Sequence, residues 1–274
     1  MTHPTAGIIG VGAMGEALLA GLLRASWEPS DLFMGVRRED RGEELADRYG
    51  CSFSLDPVEV IDGKAVIVVA VKPSSVPRVL QRIAGSVESG QTILSLAAGV
   101  STALYERRLG DVPVVRAMPN TPALVGEGIT GIAPGRYAGD RSMALADQIL
   151  RAVGDVVRLE EHHLDAVTAV SGTGPAYVFL LAEALTEAAI REGLSRSAAE
   201  KMVNQTIRGA GSLLVETGKG PFELRAQVTS PGGTTAAAMH VLEGRGFRAL
   251  VEDAVAAAAR RSRELGESAQ QGEQ

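Results

Sequence analysis

The chain has one cysteine, Cys51, so no intrachain disulfide can form. This fits a reducing compartment. No apolar run approaches the roughly 20 residues that cross a bilayer. Met1-Thr2-His3-Pro4 lacks the basic and apolar regions of a secretory signal. A cytoplasmic protein is the simplest expectation. Net positive charge is also missing: the balance is −6, which argues against nucleic acid or an anionic membrane as the main partner. Any anion must then be held by local groups. None of the histidines stands at metal-ligand spacing from another His, Cys or carboxylate, so no metal site is expected. No internal repeat is present.

What is there points to two domains, since 274 residues exceed what one core usually serves. Residues 1–160 alternate short apolar runs with amphipathic ones. Strands are expected at Ala6–Ile9, Leu32–Val36, Ala65–Val71, Thr92–Leu96 and Val112–Met118, with Gly128–Ala133 and Val156–Leu159 as two more. Ala65–Val71 is apolar throughout, as a strand covered on both faces requires. Helices are expected between the strands, from Ala13, Asp40, Ser75, Ser101 and Arg141. Such alternation predicts an α/β fold, a Rossmann-type doubly wound sheet. Residues 161–274 read instead as an all-α domain: Pro175–Gly193, Ser197–Thr217, Phe222–Thr229 and Thr234–Leu265. Pro175–Arg191 is apolar on nearly every side and must be buried all round. The helical half is too small to cover it, so contacts between subunits, as in a dimerisation domain, are expected here. The polar tail 266–274 is expected to be disordered.

Gly10-Val11-Gly12-Ala13-Met14-Gly15 follows the first strand and opens the first helix. In that context the spacing suits a dinucleotide: Gly10 for the tight turn, Gly12 for close approach of the pyrophosphate, Gly15 for helix packing. Enzymes that use NAD tend to close the second strand with an acid that binds the ribose. Here Arg37-Arg38 follow Met34-Gly35-Val36, and two guanidinium groups suit a 2′-phosphate. NADP(H) is favoured and NAD(H) use is left open. The plain alternative is a solvated charge pair balanced by Glu39 and Asp40.

Two further loops should lie at carboxyl ends of strands, where ligands bind in this architecture. Ala70-Val71-Lys72-Pro73 closes the most apolar strand, with Lys72 as a cofactor contact or general acid, or else a snorkelling lysine. Met118-Pro119-Asn120-Thr121-Pro122 presents Asn120 between prolines, to bond a carboxamide or to cap the turn. Ser171-Gly172-Thr173-Gly174-Pro175 reads as a third glycine turn, either a hinge and active-site wall or a plain interdomain turn.

Ser230-Pro231-Gly232-Gly233-Thr234-Thr235 precedes a helix and offers backbone N–H groups and hydroxyls to a small anion. Two adjacent glycines exceed what an N-cap needs. Oxidation of an alcohol needs a base, commonly His or Lys. No His or Lys of the helical half lies within the Ser171–Pro175 or Ser230–Thr235 turn, and His240 reads as a packed core histidine. A cyclic imine makes less demand: once protonated, its carbon is electrophilic, and hydride completes the amine.

These motifs together, with Arg116-Ala117 before Met118, Ala176-Tyr177 after Pro175 and His240-Val241-Leu242-Glu243 after the last turn, carry a specific likeness. From about Gly7 to Leu265 the chain closely resembles pyrroline-5-carboxylate reductases. The resemblance implies reduction of 1-pyrroline-5-carboxylate to L-proline with NADPH or NADH, the last step of proline biosynthesis. It implies a homodimer through interleaved helical domains, often assembled further, with the partner's helical domain completing the site. It implies that the N–H groups of Gly233 and Thr234, with Ser230 and the Gly232 turn, bind the substrate carboxylate. Thr235 bonds the ring nitrogen, and Val71, Lys72, Pro73 and Asn120 line the cofactor. Lys72 and Thr235 position and polarise. Thr173 stands where the family often has Ser. The rival readings are a β-hydroxyacid dehydrogenase with Lys72 as acid–base, and a nucleotide-sensing protein without turnover.

Overall fold

The computed structural model of the chain describes residues 3–271. One compact unit runs to Thr173 and takes up the chain again from Ala257; the other is Gly174–Ala256. The division falls later than the compositional change at Glu160, because the segment after Glu160 is still fastened beside the sheet. The Glu161 carboxylate accepts from the Thr102 N–H at 2.8 Å and hydroxyl at 2.7 Å, and from Arg116 at 3.3 Å.

The first unit holds β1 (Ala6–Ile9), β2 (Leu32–Gly35), β3 (Ser52–Ser54), β4 (Val66–Val69), β5 (Thr92–Ser95), β6 (Val114–Met118), β7 (Gly128–Pro134) and β8 (Gly154–Arg158). They form one sheet in the order β3-β2-β1-β4-β5-β6-β7-β8. Every neighbouring pair is parallel except β6 and β7. That pair is joined through the short 3-10 stretch Thr121–Val125, which leaves no room for a crossover helix. The chain order turns back at β1, between β2 and β4, so a crevice opens at their carboxyl ends. There Ile9 lies level with Gly35 on one side and Val69 on the other.

Helices α1 (Ala13–Arg24), α2 (Glu39–Tyr49), α3 (Pro57–Ile61), α4 (Val76–Ile83), α5 (Thr102–Leu109) and α6 (Asp140–Leu150) cover the sheet. The two-residue period of the strands sorts them into two cores. Ile8, Val66 and Val68 join Leu18, Leu22 and Ile149 on one face. Ile9, Ile67 and Val69 join Leu80, Ile83 and Tyr105 on the other. β4 is buried along its whole length, as its unbroken apolar run requires. The short polar β3 and the five-residue α3 carry too little apolar pattern to be read from sequence. Asp56 caps α3 by accepting from the Val58 N–H at 3.1 Å.

The third glycine turn is absent, and helix stands in its place. After α7 (Leu164–Val167) the chain makes one π turn, Thr168–Gly172, and passes into α8 (Gly174–Arg191). The Thr173 N–H donates to Thr168 O, five residues back, at 2.8 Å. Pro175 has no N–H to give to Ser171 O, four residues earlier, and this favours the wider turn. Continuous helix also corrects the reading of apolar runs. Glu161–Arg191 is long and apolar enough to cross a membrane by length and composition alone, with a mean hydropathy of 1.3 and 11% of that window buried.

The second unit consists of α8, α9 (Arg196–Glu216), α10 (Pro221–Gln227), α11 (Thr234–Gly244) and the start of α12 (Phe247–Gln271). The expected single helix 234–265 is therefore two, broken at Gly246 with φ +75°. The expected disordered tail begins inside α12, which continues to Gln271; extending a helix costs far less than starting one. Residues 272–274 of that tail lie outside the described residues. α8 and α9 form a hairpin through the left-handed Gly193, and Ser195 caps α9. Few apolar side chains of this unit are buried: Phe179 is 61% exposed and Leu180 67%. Such an apolar surface is a contact surface.

Candidate active site

Each glycine of the first turn has its own constraint. Gly10 has φ +96°, and a Cβ there would stand 2.6 Å from Val71 Cγ1. Its N–H donates to Gly35 O at 2.9 Å, which ties the turn to β2. At Gly15 a Cβ would stand 2.4 Å from Gly10 O, so α1 rests directly on the turn. At Gly12 a Cβ would meet nothing within 4 Å. Gly12 is the N-cap of α1 and no side chain caps the helix. The first N–H groups, beginning at Ala13 and Met14, are therefore open to an anion beside bare backbone. This fits a dinucleotide pyrophosphate.

A cleft of about 630 Å³ runs over this turn and the ends of β2 and β4, bounded by Gly10, Gly12, Arg37, Ala70, Val71 and Lys72. Six basic side chains line it: Arg37, Arg38, Arg41, Lys72, Arg78 and Arg82. No carboxylate does, in a chain whose net charge is −6. Half of these cations are balanced. Arg38 pairs with Asp40 at 3.3 Å and Arg82 with Asp56 at 3.0 Å. Arg41 binds Glu16 and also Glu44, and its hydrogen bond holds the Glu44 carboxyl below the ordinary range. Arg37, Lys72 and Arg78 have no acidic partner among the described residues. The expected arginine pair is thus divided: Arg38 is balanced, as a solvated helix start would have it, and Arg37 is free.

Lys72 stands at the end of the β4 loop, as N-cap of the 3-10 turn Pro73–Ser75. Pro73 shapes that turn and does not line the cleft. Arg41, Arg78 and Arg82 were not singled out by sequence. A signal was available for two of them, since Arg78 and Arg82 are four residues apart on the helix that follows Lys72 and so share a face.

Asn120 is 8% exposed and does not line the cleft. Its Oδ1 accepts from the Ile129 N–H at 2.9 Å, and its Nδ2 donates to Ser171 O at 3.1 Å. Ser171 O is the carbonyl that Pro175 leaves unpaired. Asn120 therefore closes its own loop and fastens the π turn to it. At Gly172 a Cβ would stand 2.7 Å from Met118 Cε, so this glycine gives the helix its close approach to β6.

In the second unit, Gly233 N–H donates to Ser230 O at 3.1 Å and closes a tight turn. Gly232 has φ +68°. A Cβ on Gly233 would stand 2.4 Å from Ser230 Oγ, so only glycine leaves the serine hydroxyl in place. Gly233 is the N-cap of α11, again without a side-chain cap. The N–H groups of Thr234 and Thr235 thus lie at the open end of an eleven-residue helix. His240, expected in a core, is exposed in the single chain. No cluster of metal-ligating residues occurs among the described residues.

Residues 161–265 match the family model for pyrroline-5-carboxylate reductase dimerisation, and 5–99 match that for NADP oxidoreductase, coenzyme F420-dependent. The pyrroline-5-carboxylate reductase of Corynebacterium melassecola is 43% identical over 96% of this chain and 98% of its own length. The chain belongs to the pyrroline-5-carboxylate reductase family. Among solved structures, the reductase of Coxiella burnetii superposes with a TM-score of 0.92 at 36% identity, covering 97% of this chain and 99% of that one. The Plasmodium falciparum reductase, with NADP bound, gives 0.86 at 30% identity over 97% and 99%. Membership makes this chain a nucleotide-binding oxidoreductase that acts on a small molecule. The dimerisation model covers the exposed face of α8, which supports homo-oligomerisation.

Proposed function

We propose that the chain reduces 1-pyrroline-5-carboxylate to L-proline, the last step of proline biosynthesis, with NADPH preferred and NADH tolerated. Membership of the family, over nearly the full length, is what carries the substrate. The uncapped start of α11 is the feature of this chain that suits it. Bound NADPH supplies the hydride.

The chain's own residues do the rest. The Gly10–Gly15 turn and the α1 N–H groups hold the pyrophosphate, with Ala70, Val71 and Lys72 along the nicotinamide half and Pro73 fixing the turn that follows Lys72. Arg37, with its charge unspent, takes the 2′-phosphate, while Arg38 is held by Asp40. Asn120 spends its amide on Ile129 and Ser171 and so holds the loop after β6 in place. The Thr234 N–H, at the open start of α11, and Ser230 Oγ take the substrate carboxylate, while the Gly233 N–H closes the turn that presents them. The Thr235 hydroxyl bonds the ring nitrogen. The nitrogen carries its own proton, so the imine carbon is electrophilic and the ring needs no lysine or histidine base. The carbon gains the hydride, the nitrogen keeps the proton, and a secondary amine results. Two copies pair through the helical domain, burying Phe179 and Leu180.

The test is oxidation of NADPH with and without pyrroline-5-carboxylate, followed by loss of the reduced nicotinamide absorbance. Turnover is expected only with the imine, and proline should accumulate in equal amount. Binding of NADPH with no turnover would leave a nucleotide sensor. Oxidation of a 3-hydroxy acid in the reverse direction would leave the dehydrogenase reading.

A further inference from the structure

We infer that Arg78, on α4, is a specificity-determining residue that completes the 2′-phosphate site from the opposite wall of the cleft. This rests on reading the cleft as the dinucleotide site. Arg37 enters from the end of β2, and Arg78 enters from the helix that follows β4. Both line the same space, both are exposed, and neither has an acidic partner among the described residues. Their neighbours differ: Arg38, Arg41 and Arg82 each hold a carboxylate.

Two unneutralised guanidinium groups line this one cleft, and no carboxylate does. A dianionic group between them accepts from both forks. The apolar side chains that share this end of the cleft, Leu55, Pro57 and Val79, suit a flat aromatic ring rather than a second charge. Leu55 is 47% exposed there. An adenosine carrying a 2′-phosphate has both parts. An adenosine without it satisfies the apolar patch and leaves Arg37 and Arg78 unpaired.

The measurement is calorimetric binding of 2′-phospho-ADP-ribose and of ADP-ribose to the full-length protein. Neither ligand needs turnover. Wild type should prefer the phosphorylated ligand by about 100-fold, about tenfold for each of two charge-assisted contacts. Arg78→Ala should remove about tenfold of that preference and leave ADP-ribose affinity unchanged. Arg78→Lys should recover only part, since it keeps the charge and loses the fork. The preference of Arg78→Ala should also fall less steeply with salt than that of wild type. Equal weakening of both ligands, or an unchanged ratio, would overturn the assignment. If wild type binds neither ligand, the cleft is not the nucleotide site, and it is that underlying reading which fails.

Discussion

Asn120 offers a sharp test of how the first unit is held together. It spends its amide on two backbone groups from distant parts of the chain, Ile129 N–H and Ser171 O. Asn120→Ala removes the partner of both groups. The Ile129 donor, in a strand, then loses its bond at about 1–3 kcal/mol. Ser171 is half-buried and its carbonyl reaches solvent more easily, at about 0.5–1.5 kcal/mol. The sum is about 1.5–4.5 kcal/mol. Trp27 is the only tryptophan and is 4% exposed within the core of the same unit, so its fluorescence follows this unit. The midpoint in urea should fall by about 1 M, taking a slope of about 2–3 kcal/mol per M. Asn120→Asp separates the two bonds. At neutral pH the carboxylate still accepts from Ile129 but faces Ser171 O, acceptor against acceptor. Its folded-state pKa therefore lies above the unfolded value of about 3.9. The handicap is full at neutral pH and shrinks as pH falls through the folded-state pKa, where a protonated oxygen donates again. A midpoint for Asn120→Ala within about 0.2 M of wild type would refute the reasoning.

The three glycines of the first turn should not respond alike. Gly12→Ala should leave the urea midpoint unchanged and lower NADPH affinity at least tenfold, because its Cβ meets no protein atom and occupies the ligand's space. Gly15→Ala should lower both, since its Cβ meets the Gly10 carbonyl, with a stability loss of about 1–3 kcal/mol. Equal effects at the two positions would show that the turn is not read correctly. Thr235→Ala should lower turnover about 100-fold with NADPH binding intact, and equal activity would remove Thr235 from the site. The Arg41–Glu44 contact should lend stability above the ordinary carboxyl value of 4.5 and lose it as pH falls below, because Glu44 titrates low in the fold. Comparing the acid limb of Trp27 fluorescence in wild type and Glu44→Gln checks this: the variant should lack that part of the pH dependence.

Strands β1, β2, β4, β5 and β6 were legible because each is an apolar run bounded by glycine, proline or charge. The antiparallel β6–β7 step was not, since loop length and not residue pattern sets strand direction there. Ser171–Pro175 misled for a physical reason: two glycines and a proline usually break a helix, but a π turn absorbs the missing proline N–H and Asn120 takes the spare carbonyl. The Gly246 break stayed hidden although Gly244-Arg245-Gly246 carries two glycines, because helix-forming residues run on beyond them in both directions. The cleft's glycines and Arg37 were legible from spacing. Arg78 and Arg82 left only their four-residue spacing as a signal, and a basic helix face looks like any solvated one until the rest of the cleft is known. Whether a given arginine is free depends on carboxylates far away in sequence, such as Glu16 for Arg41 and Asp56 for Arg82.

The bare apolar flank of α8 has one more consequence. A helix with Phe179 and Leu180 so open to water has little folding stability of its own, so the second unit draws it from its copies. Protomer concentration then enters as a thermodynamic variable. In a paired assembly, each tenfold dilution takes about 1.4 kcal/mol from the associated state. Heat tolerance and specific activity should therefore both decline on dilution, and added protein should restore them.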